Sequence, residues 1–207
     1  MELERPAKTT LSRRLTRQSQ SFDRTLKLGT IATLNGRFKG IQTVISALSL
    51  ARHRFPSLTY HVLGGGDPGP WQKLIHQHRL EDIVRMDGSV PSGEPVIRWL
   101  DDIDVYIQPS LKEGLPRALI EAMSRGCPAI GSSAGGIPEL LENTDIFTAG
   151  GVDELASLLA RKLPDRQWME ESARKNWKLS ASFEKAIIEG RRDEFYRHFA
   201  SYVANPK

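Results

Sequence analysis

The 207-residue sequence predicts an α/β fold: a Rossmann-like parallel sheet of about six strands with helices on both faces, followed by a C-terminal amphipathic helix. Three observations predict it. Short apolar runs of strand length alternate with segments of helical periodicity from Leu26 to Lys162. The helical segments are long enough to serve as right-handed crossovers between parallel strands. Glycine-rich turns and polar loops follow the apolar runs, at the carboxyl edge where sheets of this class bind ligands.

The elements follow in order. Residues 1–25 are polar, basic and rich in Ser, Thr and Gln, so they read as a linker or leader with little to pack. Arg5, Lys8, Arg13, Arg14, Arg17, Arg24 and Lys27 face only Glu2, Glu4 and Asp23. Such an arm can meet nucleic acid or anionic lipid. A solvated linker, or a segment that docks on a neighbour, fits better, because no aromatic interleaving or nucleic-acid motif accompanies the charge. Leu26 to Leu34 reads as a strand, and Gly40 to His53 as a helix with Ile41, Val44, Ile45 and Leu48 on one face. A strand over Leu58 to Leu63, a helix over Trp71 to Leu80 and a short strand over Ile83 to Met86 come next. Glu94 to Leu100 is helical and Val105 to Pro109 is a buried strand. Pro116 suits a first helical position, where its missing N–H is no loss, and Gly126 with Pro128 ends that helix. Ala129 to Ser132 is a strand, Ile137 to Glu142 a short helix, Asp145 to Thr148 a last strand and Val152 to Lys162 a helix. In the tail, Ile187, Ile188, Phe195, Tyr196 and Phe199 are spaced for an amphipathic helix of the kind that packs on a core or between domains. The expected divisions are therefore 1–25, 26–180 and 181–207.

Bulk properties narrow the class. The sequence is 39% hydrophobic and 26% charged, enough apolar material for one globular core. No apolar run approaches the roughly 20 residues that span a membrane, and no secretory segment opens the chain. A single cysteine, Cys127, rules out an internal disulfide framework and suits a reducing compartment, so the expected location is cytoplasmic.

Several motifs have bland explanations. Gly64-Gly65-Gly66-Asp67-Pro68-Gly69 matches G-x-G-x-x-G, with Asp87 about where a ribose-binding acid would fall. Pro68 and Pro70 remove N–H donors that a pyrophosphate needs, and the motif follows the second strand, so a tight turn lining another ligand's cleft is the better reading. Asp102-Ile103-Asp104 is a D-x-D at the amino end of its strand, on the wrong rim of the sheet for a nucleotide-bound metal. His76 and His78 point to different sides of a helix, and Cys127 sits at a helix exit with no identifiable base. No metal site is expected.

Two carboxylates carry the chemistry. In Glu113-Gly-Leu-Pro-Arg-Ala-Leu-Ile-Glu121 the first lies in a loop and the second in the helix that follows, with backbone N–H groups between them. Carboxylates accept hydrogen bonds from hydroxyls, and N–H groups receive phosphate. Lys39, with Arg37 two residues before it, opens the first helix at the same edge, where a cation reaches a bound phosphate.

The run Pro109-Ser110-Leu-Lys-Glu113-Gly-Leu-Pro116, then Glu121-Ala-Met-Ser-Arg-Gly126-Cys-Pro128, then Gly135-Gly-Ile-Pro-Glu139 resembles the C-terminal, donor-binding domain of GT-B glycosyltransferases. Specifically it is similar to the retaining family 4 with its E-x7-E motif, over roughly residues 26–163. The resemblance implies that Lys39 binds the donor diphosphate and that Glu113 meets hydroxyls of the transferred sugar. It implies help from the backbone of Gly114, Leu115 and Pro116, and ribose contacts at Glu121. The base then stacks near Gly88 to Pro91, with Ser89 and Val90 in contact and Gly65 lining the cleft. Lys39 and Glu113 are the expected catalytic residues, Lys39 stabilising leaving-group charge and Glu113 positioning the sugar. Arg37 stands in for an arginine that many relatives carry where this chain has Thr33. No cofactor is expected beyond the substrate, a UDP- or GDP-sugar. The expected partners are a saccharide or lipid-linked acceptor and an N-terminal GT-B domain, in cis or in trans, that residues 1–25 are too few to form. A peripheral inner-membrane location follows by analogy. The alternatives are a non-catalytic nucleotide-sugar-binding or assembly module and a dinucleotide-dependent oxidoreductase or epimerase.

Overall fold

A computed structural model describes residues 8–19, 25–55 and 57–204. Six parallel strands form one sheet: β1 (Leu26–Ile31), β2 (Leu58–Leu63), β3 (Val84–Gly88), β4 (Val105–Gln108), β5 (Ala129–Ser132) and β6 (Ile146–Phe147), ordered β3-β2-β1-β4-β5-β6. The chain winds outward from β1 to β3, then returns to lay β4 on the other side of β1. The helices that follow β1 and β4 therefore pack on opposite faces of the sheet, which makes the carboxyl edge between these strands the topological switch point, where sheets of this class form a ligand crevice.

Alternation along the strands feeds two cores. Leu28, Val105 and Ile107 face a cluster with α2 (Ile41–Ala51), α3 (Gly69–Gln77) and α6 (Val152–Lys162). Tyr106 faces the opposite cluster with α4 (Glu94–Asp102) and α5 (Arg117–Ser124). Gly29 lets α4 approach: a Cβ there would lie 2.7 Å from the Trp99 ring and 2.8 Å from Ile103.

Three elements differ from the sequence expectation. α1 (Lys8–Ser19) packs against α7 (Arg166–Ser180), so the expected linker holds a docked helix; residues 1–7 and 20–24 lie outside the described residues. Its buried residues are Arg14 and Gln18, so no apolar stripe announces it. α7, which the reading omits, buries Trp168, Met169 and Ala173, but also Ser172, Asn176 and Ser180. Asp165 caps it, its carboxylate accepting from the Trp168 N–H at 2.9 Å. The expected helix over Ile137 to Glu142 is only a 3-10 turn, Ile137–Glu139.

The tail forms α8 (Lys185–Ala204), which leaves Phe195, Tyr196, Phe199 and Tyr202 more than half exposed. Phe195 packs edge-on to Tyr196 and stacks with Phe199. Among the described residues no helix is long and apolar enough to cross a membrane.

Candidate active site at the sheet's switch point

The loops after β1 and β4 meet through backbone geometry that side chains would block. Gly40 adopts φ +74°, and a Cβ there would fall 1.8 Å from the Pro109 carbonyl oxygen. Only glycine allows that approach. The Leu111 N–H donates to the Phe38 carbonyl at 2.7 Å, clipping the loops together. Behind them, Gly135 at φ +53° would bring a Cβ to 1.9 Å from the Glu113 carbonyl oxygen, and the Gly136 N–H donates to the Gly114 carbonyl at 2.8 Å. The Gly135-Gly136 turn thus supports the loop that carries Glu113.

This frame brings Lys39 and Glu113 together. The Lys39 ammonium lies 2.8 Å from Glu113 Oε2 and 5.6 Å from the centre of the Phe38 ring. Glu113 Oε2 also accepts from Ser110 Oγ at 2.9 Å and Gln108 Nε2 at 3.3 Å. Glu113 is therefore a fixed, mostly buried carboxylate and not a solvated loop residue. Arg37, two residues before Lys39, is exposed, and its guanidinium makes no hydrogen bond or ion pair with a described residue.

Glu121 lies one turn into α5, half-buried, and its carboxylate has no hydrogen-bond partner among the described residues. Burial pushes its carboxyl above the ordinary glutamate range, and Arg117 draws it partly back. A half-buried carboxylate without a donor is energetically unfavourable.

Between the glutamates the structure revises one expectation. Pro116 is extended at φ −78°, ψ 98°, and the helix begins at Arg117, so the proline caps the helix and does not occupy its first position. Having no N–H, it donates nothing. The loop donors are the Gly114 and Leu115 N–H groups, which no other described residue uses.

Gly65, Ser89 and Val90 lie at the carboxyl ends of β2 and β3, with a Cβ on Gly65 falling 3.6 Å from Ser89 Cβ. Three strand spacings, about 14 Å, separate β3 from β4, the scale of an extended nucleotide. The glycine turn itself serves packing. A Cβ on Gly64 would meet the Ala32 carbonyl at 1.8 Å, Gly66 abuts Asn35, and Asp67 accepts from the Gly69 N–H to start α3. Asp87 is held by Trp99 Nε1 at 2.7 Å and by His61.

The remaining motifs lie elsewhere. Asp104 is buried at the amino end of β4, accepting from Arg17 at 2.8 Å and from the Lys27 N–H at 2.9 Å, while Asp102 pairs with Lys27 and Arg17. Cys127 is buried 3.1 Å from Arg14, and burial pushes its thiol up. His76 pairs with Glu81 on the surface. Sequence reasoning passed over Gln108 and Tyr106; the available signal was two polar side chains inside a strand that is buried throughout.

Comparison with known proteins bears on the family and the fold. The sequence profile of a family described as glycosyl transferases group 1 matches residues 25–165. A putative colanic acid biosynthesis glycosyltransferase, WcaL of Escherichia coli, is 39% identical over 127 residues, 56% of this chain and 30% of that protein. The crystal structure of Anabaena HepE in complex with UDP and glucose superposes with a TM-score of 0.75 at 22% identity, covering 93% of this chain and 53% of that one. The C-terminal domain of a group 1 glycosyl transferase, LpcC from Francisella tularensis, superposes with a TM-score of 0.70 at 21% identity, covering 87% of this chain and 95% of that one. The chain spans less than half the length of the curated relatives it matches first.

Proposed function

The chain belongs to the group 1 glycosyl transferases, and from that membership we propose that its switch-point crevice binds a nucleotide-diphosphate sugar for retaining transfer to a saccharide or lipid-linked acceptor. One observation carries the reading: the Lys39–Glu113 pair stands at the crevice mouth, with Glu121 on the adjoining helix still lacking donors. In this reading Lys39 takes the diphosphate, with two of its three ammonium protons still available beyond Glu113. Arg37 and the N–H groups of Gly114 and Leu115 add further donors. Charge that develops on the departing nucleotide is stabilised where it forms, each preorganised donor contributing a few kcal/mol. Glu113 positions the sugar and Glu121 the ribose, while the base lies along Ser89 and Val90. The donor is substrate, and the reading calls for no separate cofactor.

The acceptor site belongs in this proposal to an N-terminal domain, in cis or in trans, that closes over the donor. The length of the relatives supports that division. The assignment of WcaL to colanic acid biosynthesis supports a saccharide acceptor; a lipid-linked acceptor and a place at the cytoplasmic face of a membrane belong to the proposal.

Calorimetric titration with UDP, GDP and their hexose conjugates tests the reading. Lys39→Ala and Glu121→Ala should each weaken donor binding by about 1–3 kcal/mol, the cost of a lost charge-assisted hydrogen bond. Unchanged isotherms for both variants would remove the site assignment. Transfer by the chain recombined with a GT-B N-terminal domain separates an enzyme from a binding module.

A further inference from the structure

We infer that Gln108, oriented by the buried Tyr106 hydroxyl, is a positioning residue that divides the two oxygens of Glu113, giving Oε2 to the protein and Oε1 to the transferred sugar. The inference rests on the donor-site reading above and assigns a mechanism to it.

The division is visible in the hydrogen bonds. Oε2 receives three donors, Lys39 Nζ at 2.8 Å, Ser110 Oγ at 2.9 Å and Gln108 Nε2 at 3.3 Å. Oε1 receives none from any described residue. A carboxylate free to rotate would share its donors between both oxygens; this one is held by Oε2 and leaves Oε1 without a described donor.

The orientation traces back into the core. The Ile31 N–H donates to the Tyr106 hydroxyl at 3.2 Å, and that hydroxyl donates to Gln108 Oε1 at 3.1 Å. With its oxygen committed to Tyr106, the Gln108 amide must present its NH2 group to Ser110 Oγ, at 3.0 Å, and to Glu113. A flipped amide would set its oxygen against the carboxylate and its NH2 against a hydroxyl proton. Burial pushes the Tyr106 phenol well above its ordinary range, so the hydroxyl keeps its proton at any working pH. Gln108 is 2% exposed, so each of its polar groups depends on these partners. The relay begins at β1, runs through β4 and ends at Glu113. It carries the register of the sheet to the one side chain expected to read the sugar.

A split between ligands distinguishes positioning from general support. The intact chain, Gln108→Leu and Tyr106→Phe are titrated with UDP, UDP-glucose, GDP and GDP-mannose, after circular dichroism establishes folding. The expected result is that the sugar nucleotide loses about tenfold in affinity relative to its bare nucleotide in Gln108→Leu, the scale of one misplaced charge-assisted hydrogen bond. Tyr106→Phe removes a single oxygen from a buried ring, leaves the core intact and should shift the same ratio in the same direction by less. An unchanged ratio in both variants overturns the inference, as does equal weakening of nucleotide and sugar nucleotide. Failure of the unaltered chain to bind any of the four ligands overturns the donor-site reading itself, and this inference with it.

Discussion

Replacing Arg14 by leucine should destabilise the chain by about 3–5 kcal/mol, the scale of several buried carbonyls that lose their donor. Arg14 is 3% exposed, and its guanidinium is spread over four acceptors. Nη2 donates to the Leu100 carbonyl at 2.8 Å and reaches Cys127 Sγ at 3.1 Å. Nε donates to the Arg125 carbonyl at 3.2 Å, and Nη1 donates to the Ile103 carbonyl. Leu100 and Ile103 belong to the carboxyl end of α4, and Arg125 to that of α5. One cation thus closes the negative ends of two helices, from a third helix far away in sequence. Leucine fills part of the volume but leaves three carbonyls inside without donors, at about 1–3 kcal/mol each before the site relaxes and admits water. Relaxation keeps the total below the simple sum.

For a chain of this size each kcal/mol moves the melting temperature by about 2–4 °C, so the expected drop is roughly 6–20 °C. Thermal unfolding followed by circular dichroism measures it, and urea titration checks that the unfolding slope is unchanged. Arg14→Lys should recover less than half, because an ammonium cannot span acceptors fanned around a planar fork. A melting temperature within about 2 °C of the unaltered chain would refute the reasoning and return α1 to the status of a loosely attached segment.

Gly40→Ala should cost several-fold or more in nucleotide affinity together with a lower melting temperature, since φ +74° and a contact of 1.8 Å with the Pro109 carbonyl force the two site loops apart. An isotherm and melt identical to those of the parent would show that the loops tolerate separation. Nucleotide affinity should fall on acidification at a higher pH than an ordinary glutamate would set, because burial raises the Glu121 carboxyl and only its ionised form accepts two hydroxyls. Glu121→Gln should bind weakly with no such dependence, so a persisting pH profile in that variant would assign the titration elsewhere. Asp104→Ala should lower stability by about 3 kcal/mol with added Mg2+ or Mn2+ having no effect on the parent's melting curve, because its carboxylate is already used by Arg17 and the Lys27 N–H; a metal-dependent melt would contradict that role.

What was legible in the sequence were the features that follow a simple period or a fixed spacing. Strands such as Val105–Gln108 announce themselves by continuous burial, and Glu113 and Glu121 by a turn, a proline and a helix between them. Gly135 and Gly136 stood out as part of the Gly-Gly-Ile-Pro-Glu run, and the close approach of Gly135 to the Glu113 carbonyl supplies the physical reason for the first of them. What stayed hidden was polar burial. α1 and α7 contact one another, and their buried residues include Arg14, Gln18, Ser172 and Asn176, types that signal solvent when read singly. Asn176 Nδ2 donates to the Cys127 carbonyl at 2.8 Å, so its burial is explained by a partner 49 residues away that no local pattern encodes. Gln108 escaped for the same reason: its meaning lies in Tyr106 and Glu113, which only the folded β4 and its loop bring together.

The two glutamates also differ in a way that spacing alone conceals. Glu113 is supplied with donors on one oxygen before any ligand arrives, so it is rigid and its free oxygen has a defined direction. Glu121 has none, and burial works against its charge. Its folded carboxyl lies above the unfolded value, so ionisation costs the fold stability as pH rises through that window, and the cost persists at neutral pH. Glu121→Gln should therefore melt no lower than the parent at pH 7 while binding nucleotide more weakly. A side chain whose removal spares or improves stability and damages binding is retained for its ligand. Glu113, anchored to Lys39, Ser110 and Gln108, should show the opposite coupling, losing stability and sugar recognition together.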